Sequence, residues 1–275
     1  MKIKFFFHQD TFSFSYIVYD QATKDAILID PVLDYEQAAS CIKYDYVKEL
    51  ADFILQEALL LHWIIETHIH ADHISGAQYF KEKFSNSKIG ISSKVVQVQK
   101  TFCSLYNLAE IATDGSQFDR LFEDGEIHVA GSLNLKFIHT PGHTPSCMSI
   151  HISNCLFVGD SLFIPDFGTG RCDFPDGSAS ELYSSVHDKI YQLPDQTRLF
   201  VGHDYQPGGR PLRWETSIAE SKKENIQLCH ETTKKDFIEF RTARDKSLNA
   251  PKLLLASLQI NINAGILPKV EDNDK

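Results

Sequence analysis

Residues 67–73 read Thr-His-Ile-His-Ala-Asp-His, so three imidazoles and a carboxylate fall between His68 and His73. Nitrogen and oxygen donors of this kind bind borderline divalent metals. Ionisable groups this close repel one another and resist burial, so packing alone is a poor reason for the cluster. The stretch reads as a metal-binding loop.

Working outward, Trp63-Ile64-Ile65 reads as a short buried strand that delivers the loop from its C-terminal end. Layered α/β architectures commonly place ligand loops there. Ser75–Phe84 is expected to be a helix, Lys88–Ile91 a strand and Val95–Tyr106 a helix. Toward the N-terminus, Ile3–Phe7, Phe12–Tyr19 and Ala26–Ile29 read as strands, with Asp30-Pro31 as a stop. Phe12, Phe14, Tyr16 and Val18 would share one strand face, opposite Ser13 and Ser15. From Asp34 a helix is expected, its apolar stripe carried by Val47, Leu50, Ala51, Ile54, Ala58 and Leu61.

Beyond the loop, Phe118–Phe122, Glu126–Val129, Leu133–Ile138, Cys147–Ile152, Cys155–Val158 and Arg198–Val201 read as strands. Ser178-Ala-Ser-Glu181 and Ser217-Ile-Ala-Glu220 have the form of capping boxes and predict helix starts. A charged segment, Thr233–Leu248, precedes a final helix predicted from Pro251 to Gly265. Its apolar part, Leu253–Ile262, implies a buried contact within the chain or with a second copy in a homodimer. Three more candidate ligands stand at strand ends, each after a Gly: His143, Asp160 and His203. Glycine there suits a tight turn that brings a short side chain close to an ion.

The totals bound the partners. A net charge of −10 argues against nucleic acid, whose phosphates need a basic face. No apolar run is long enough to span a membrane, and the N-terminal MKIKFFFHQD reads as a strand rather than a secretion signal. The six Cys form no CxxC pair, which is consistent with reduced thiols in a cytoplasmic protein.

The ordered set His68, His70, Asp72, His73, His143, Asp160 and His203 resembles the metallo-β-lactamase superfamily. That resemblance implies an α/β chain with a four-layer αββα sandwich, a core over 1–205 and a helical C-terminal extension over 206–275. It also implies one metal position at His68, His70 and His143, a second at Asp72, His73 and His203, and Asp160 between them. Gly170-Arg-Cys-Asp-Phe174, Leu182-Tyr183, His187-Asp-Lys-Ile190 and His203-Asp-Tyr205 are similar to the persulfide dioxygenase branch. The tail, with Arg241-Thr-Ala-Arg-Asp245 and Leu258-Gln-Ile-Asn-Ile-Asn-Ala-Gly-Ile-Leu-Pro268, is similar to a bacterial subgroup often described as β-lactamase-like hydrolases.

In that branch one Fe(II) is held by residues matching His68, His143 and Asp160, a 2-His-1-carboxylate set with open positions for persulfide and O₂. His70, Asp72, His73 and His203 would then support the ligands or hold a second metal. The implied reaction oxidises glutathione persulfide, or a similar small persulfide, to sulfite and free thiol. Tyr205 and His203 are the expected catalytic groups, Tyr205 donating a hydrogen bond to substrate or an oxygen intermediate. Arg171 is expected to grip a substrate carboxylate, with an internal pair to Asp166 or Asp173 as its other reading. Arg241 and Arg244 are expected at the surface or between subunits, and Cys172 as a packing residue more than a sulfur carrier. Thr169 stands where the mitochondrial members carry a Cys. Two alternatives stay open: a glyoxalase II-type thioester hydrolase at a binuclear Zn or Zn/Fe centre, and a metal- or thiol-sensing protein without turnover.

Overall fold

The N-terminal alternation builds a meander of β1 (Lys2–His8), β2 (Ser13–Tyr19) and β3 (Asp25–Ile29), each antiparallel to the last. The computed structural model describes residues 1–268. Phe14, Tyr16 and Val18 on β2 face one way as expected, but Phe12 precedes the strand with φ +56° and stands partly exposed.

After Asp30 the chain does not enter a helix. It forms a hairpin of β4 (Val32–Glu36) and β5 (Cys41–Lys43), and only then α1 (Asp45–Gln56). The reason is local. The Asp34 carboxylate accepts from the Tyr46 amide at 2.9 Å and pairs with His8 Nε2 at 3.1 Å, so Asp34 serves the helix start from outside it. Ala58 turns left-handed after the helix, and Leu61 belongs to β6 (Leu60–Ile65).

A two-residue strand, β7 (Ile74–Ser75), pairs with β4, so the predicted helix there is shorter: α2 (Ala77–Lys83). β8 (Lys88–Ser92), α3 (Val95–Tyr106) and β9 (Arg120–Phe122) complete a first six-stranded sheet in the order β1-β2-β3-β6-β8-β9. The second sheet runs from β10 (Ile127–Ala130) through β11 (Leu133–His139), β12 (Met148–Ile152), β13 (Cys155–Phe157) and β14 (Arg198–Phe200) to β15 (Glu215–Ser217).

Both predicted helix starts form with their Ser caps, but the reciprocal Glu half of each box does not: the Ser178 amide donates to the Gly142 carbonyl, and the Glu220 carboxylate accepts from Thr216 and Arg213. Ser178 Oγ accepts from the Glu181 amide at the start of α4 (Ala179–Ser184). That helix runs on through a π-helical turn at Ser185–Lys189 and a 3₁₀ turn at Ile190–Gln192. Ser217 Oγ accepts from Glu220 at α5 (Ile218–Glu224). The charged segment is α6 (Lys234–Asp245), and the final helix, α7 (Leu254–Asn261), is shorter than predicted. The segment after residue 205 is thus not only helical, since β15 is a strand of the second sheet; its residues 269–275 lie outside the described residues.

Two apolar layers hold the sandwich together. Between the sheets, Phe14, Tyr16, Ile29 and Ile65 meet Leu135, Phe137, Ile150 and Phe157, and α4 to α6 add Leu182, Ile218 and Phe237. On the far face of the first sheet, α1 to α3 bury Val47, Leu50, Phe80 and Phe102 against Ile17, Leu28, Ile64 and Ile91. Leu258, Ile260 and Ile262 at α7 sink into that same layer, so the apolar final helix makes its contact within the chain. Among the described residues no helix is long and apolar enough to cross a membrane.

Candidate metal centre

The loops at one edge of both sheets converge. His68, His143 and Asp160 each offer a ligand atom within 4.8 Å of the others, and so do His70, Asp72 and His73. His143 Nε2 lies 3.6 Å from Asp160 Oδ2, and His203 Nε2 lies 3.5 Å from Asp160 Oδ1 and 3.4 Å from Asp72 Oδ2. Asp160 therefore stands between the two groups. All seven sequence-predicted ligands come together.

Hydrogen bonds decide which nitrogen of each ring faces inward. His143 Nδ1 meets the Arg171 carbonyl at 2.6 Å; a carbonyl only accepts, so Nδ1 carries the proton and Nε2 is free. The Thr67 hydroxyl donates to Asp30 Oδ2 at 2.7 Å and hence accepts from His68 Nδ1 at 3.0 Å, which again frees Nε2. Ser13 Oγ lies 3.3 Å from His73 Nδ1 and 3.4 Å from His203 Nδ1. The buried atoms His68 Nε2, His70 Nδ1, His73 Nε2 and Asp160 Oδ1 have no hydrogen-bond partner among the described residues. Leaving four such atoms unpaired would be costly unless a cation completes them. The donor set fits a divalent metal at the His68, His143 and Asp160 position, with room for a second at His70, Asp72, His73 and His203.

Electrostatics agree at His68 and His73, whereas at His70 burial is outweighed by the Asp30 and Glu66 carboxylates, which raise the imidazole well above its ordinary range. Burial, with His70 and His143 nearby, pushes the His68 imidazole well below its ordinary range, and burial beside His70 lowers His73 to about 4. Both are neutral near pH 7, the form that binds metal. Burial alone would raise the Asp30 carboxyl, but His70 and the Thr67 amide and hydroxyl hold it below its usual value. Asp30 thus anchors two imidazoles, His68 through Thr67 and His70 Nε2 directly at 3.2 Å. Read in sequence as a strand stop, Asp30 is the carboxylate on which this loop rests.

Two glycines are required by close approach. Gly159, at φ +51°, lies where a Cβ would stand 2.6 Å from Thr67 Oγ1, and a Cβ on Gly202 would stand 2.6 Å from Asp160 Oδ1.

The metal-facing edge opens into a cavity of about 780 Å³, with His143, Asp160 and Asp72 in its floor and Phe12, Phe163, Phe167 and Phe174 in its walls. Tyr205 lines it too, its ring nearly parallel to His203 at 5.5 Å between centroids. The Tyr205 side chain is 38 % exposed, yet its phenol is raised well above the ordinary range by burial and by Asp160 and Asp72, so it stays a donor. Arg171 also lines the cavity, but its guanidinium is bidentate to Asp173 at 2.6 Å and donates to the Asn249 carbonyl at 2.7 Å. Asp166 pairs with Arg210 instead.

Arg241 departs from expectation. It is 1 % exposed, its Nη2 lies 2.6 Å from Asp245, and its Nη1 donates to Thr169 O and Gln227 Oε1. A guanidinium this deep needs all those partners, which an i, i+4 pair on α6 facing the 160–172 loop supplies. Arg244 is exposed at the cavity rim.

The sequence profile of the metallo-beta-lactamase superfamily matches residues 8–203, the span that carries every one of these ligands. This chain belongs to the metallo-beta-lactamase superfamily. Within that superfamily it is 46% identical to Glyoxylase B2 of Dictyostelium discoideum over 99% of this chain and 94% of that one. It is 44% identical to the Beta-lactamase hydrolase-like protein of Agrobacterium fabrum over 99% of its own length, and spans 63% of that longer protein. It is 32% identical to the mitochondrial persulfide dioxygenase ETHE1 of Bos taurus, over 72% of this chain and 66% of that protein. The crystal structure of ETHE1 from Myxococcus xanthus superposes with a TM-score of 0.78 at 28% identity, covering 97% of this chain and 100% of that one. The four-layer sandwich of the superfamily is the fold observed.

Proposed function

We propose that this chain is an iron-dependent persulfide dioxygenase acting on glutathione persulfide or a similar small persulfide. The observation that carries the reading is the His68, His143 and Asp160 cluster, in which His68 Nε2 and Asp160 Oδ1 lack hydrogen-bond partners among the described residues while His143 and Asp160 line the cavity. Similarity to the persulfide dioxygenase ETHE1 and the Gly170–Phe174 segment support it.

The reaction converts persulfide, O₂ and water to thiol, sulfite and protons. The outer sulfur gives up four electrons, O₂ accepts them, and water supplies the third sulfite oxygen. Iron(II), when bound, supplies the one-electron chemistry that zinc(II) lacks. The residues of the chain do the rest. His68, His143 and Asp160 would hold the metal on one side and leave the cavity side open. The aromatic walls exclude water from the thiol body, and the Tyr205 phenol is poised to donate a hydrogen bond toward the floor. His203 keeps Asp72 and Asp160 apart by facing both. The rim cations Arg244 and Lys252 suit a thiol that carries carboxylates. A reducing, cytoplasmic setting belongs to the same proposal, supported by six cysteines that are all free.

A second reading has its own support. The His70, Asp72 and His73 cluster, with His203 beside it, would complete a binuclear site for thioester hydrolysis. Similarity to Glyoxylase B2 favours it. Anaerobic reconstitution with Fe(II), followed by glutathione persulfide, separates the two. Oxygen consumption is expected; none, alongside brisk hydrolysis of a glutathione thioester, would establish the hydrolase.

A further inference from the structure

The metal-binding loop is pinned at its start by Asp30, which accepts from both the amide and the hydroxyl of Thr67 at 2.7 Å. Its other end is pinned by a residue almost two hundred positions away. Asn261, the last residue of α7, is 3 % exposed and spends its whole amide on this loop. Its Nδ2 donates to the carbonyls of His70 and His73, and its Oδ1 accepts from the Ser75 amide, all at 2.8 Å. Two donors and one acceptor on one rigid group fix the carbonyls of residues three apart, which sets how the loop presents His70 and His73. Neighbouring contacts hold α7 in place for this: Gln78 Nε2 donates to Ala264 O, Gln99 Nε2 to Ile262 O, and Gly265 packs on Ser75.

We propose that Asn261 is a positioning residue for the metal centre, so that metal binding and docking of α7 are thermodynamically coupled. The inference rests on the residues of the loop holding a metal and is independent of the reaction catalysed. An aspartate at 261 keeps the acceptor for Ser75 but sets a carboxylate oxygen against two carbonyls. A serine is too short to span all three partners. Groups that orient metal ligands typically change affinity by about 10–100-fold when removed. Coupling is reciprocal, so metal should in turn order the helix.

The test uses Co(II) as the probe on the full chain, with affinity read by chelator competition and ligand geometry by the d–d absorption band. Asn261→Asp is expected to weaken Co(II) by about 10–100-fold and to shift the band. Asn261→Ser should do the same in lesser degree, and decides the matter if the aspartate variant fails to fold. Leu258→Ala removes a buried side chain from the same helix without touching the loop, so it should lower Tm, weaken Co(II) far less than the Asn261 variants do and leave the band unchanged. Co(II) should also slow amide exchange across Leu254–Asn261. Unchanged affinity and band in the Asn261 variants, equal losses in Leu258→Ala, or exchange indifferent to Co(II) would each overturn the proposal. Because turnover is not read, either outcome leaves the dioxygenase reading standing or falling on its own assay.

Discussion

His143 Nδ1 donates to the main-chain carbonyl of Arg171 at 2.6 Å, so one metal ligand is aimed by the loop that follows another, Asp160. The side chain of Arg171 plays no part in this contact. What fixes its carbonyl is the buried pair on α6: Asp245 accepts from the Cys172 amide at 2.8 Å, and Arg241 donates to the carbonyl of Thr169.

That arrangement predicts a large stability loss on breaking the pair. Arg241→Ala leaves the Asp245 carboxylate buried without its cation, which costs on the order of 3–5 kcal/mol. Urea denaturation of the full chain reads this directly. Arg241→Lys should recover little, since an ammonium cannot reach Asp245, Gln227 and the Thr169 carbonyl in the geometry of a fork.

The ligand set predicts an order of metal loss. Asp160→Asn and His143→Ala should lose Fe(II) after anaerobic reconstitution, while His203→Ala should retain it if the site is mononuclear. Metal analysis after desalting gives the answer. Equal loss in His203→Ala would favour the binuclear reading.

Thiol reactivity follows exposure. Cys41 is exposed, and Cys229 is partly exposed with its thiol lowered by the Thr232 hydroxyl and neighbouring backbone amides. Burial pushes Cys147 up to about 12 and raises Cys172 further, with Asp245 adding to the latter. An aromatic disulfide reagent should therefore titrate Cys41 and Cys229 in native protein and reach Cys147, Cys155 and Cys172 only after denaturation. Cys172→Ala with full turnover would complete the case against a sulfur-carrying role.

Acid should destabilise the chelated protein in a defined window. His73 titrates near 6.5 when unfolded and is lowered to about 4 by burial when folded. Between those values the unfolded chain binds the extra proton, so stability is full above about 6.5 and falls as pH drops toward 4. The fall from this residue is on the order of 3 kcal/mol. Denaturation midpoints measured from pH 7 to 4 should decline, and His73→Gln should flatten part of the slope.

What could be read from sequence was what is local. The spacing of His68, His70, Asp72 and His73 carries its own chemistry, and a Gly before His143, Asp160 and His203 marks a turn that the fold then uses. Capping by Ser178 and Ser217 is equally local, and both side-chain caps form. Long-range roles were not legible. Asp30 looks like a strand stop, yet it serves Thr67, 37 residues on. Ser13 meets His73 across 60 residues, and Asn261 reaches His70 across 191. No periodicity encodes such pairs. Asp34 misled for the opposite reason: the apolar repeat of α1 looks extendable backward, but the aspartate is needed outside the helix to hold His8 and the Tyr46 amide. Arg241 looks like a surface charge because its partners, Thr169 and Gln227, lie outside its own helix.

The central claim is tested most directly by the ratio of sulfite formed to O₂ consumed when Fe(II)-reconstituted protein is given glutathione persulfide. The account predicts one sulfite per O₂, with both lost in His143→Ala. Sulfite without oxygen uptake, or no uptake beside rapid thioester hydrolysis, would contradict it.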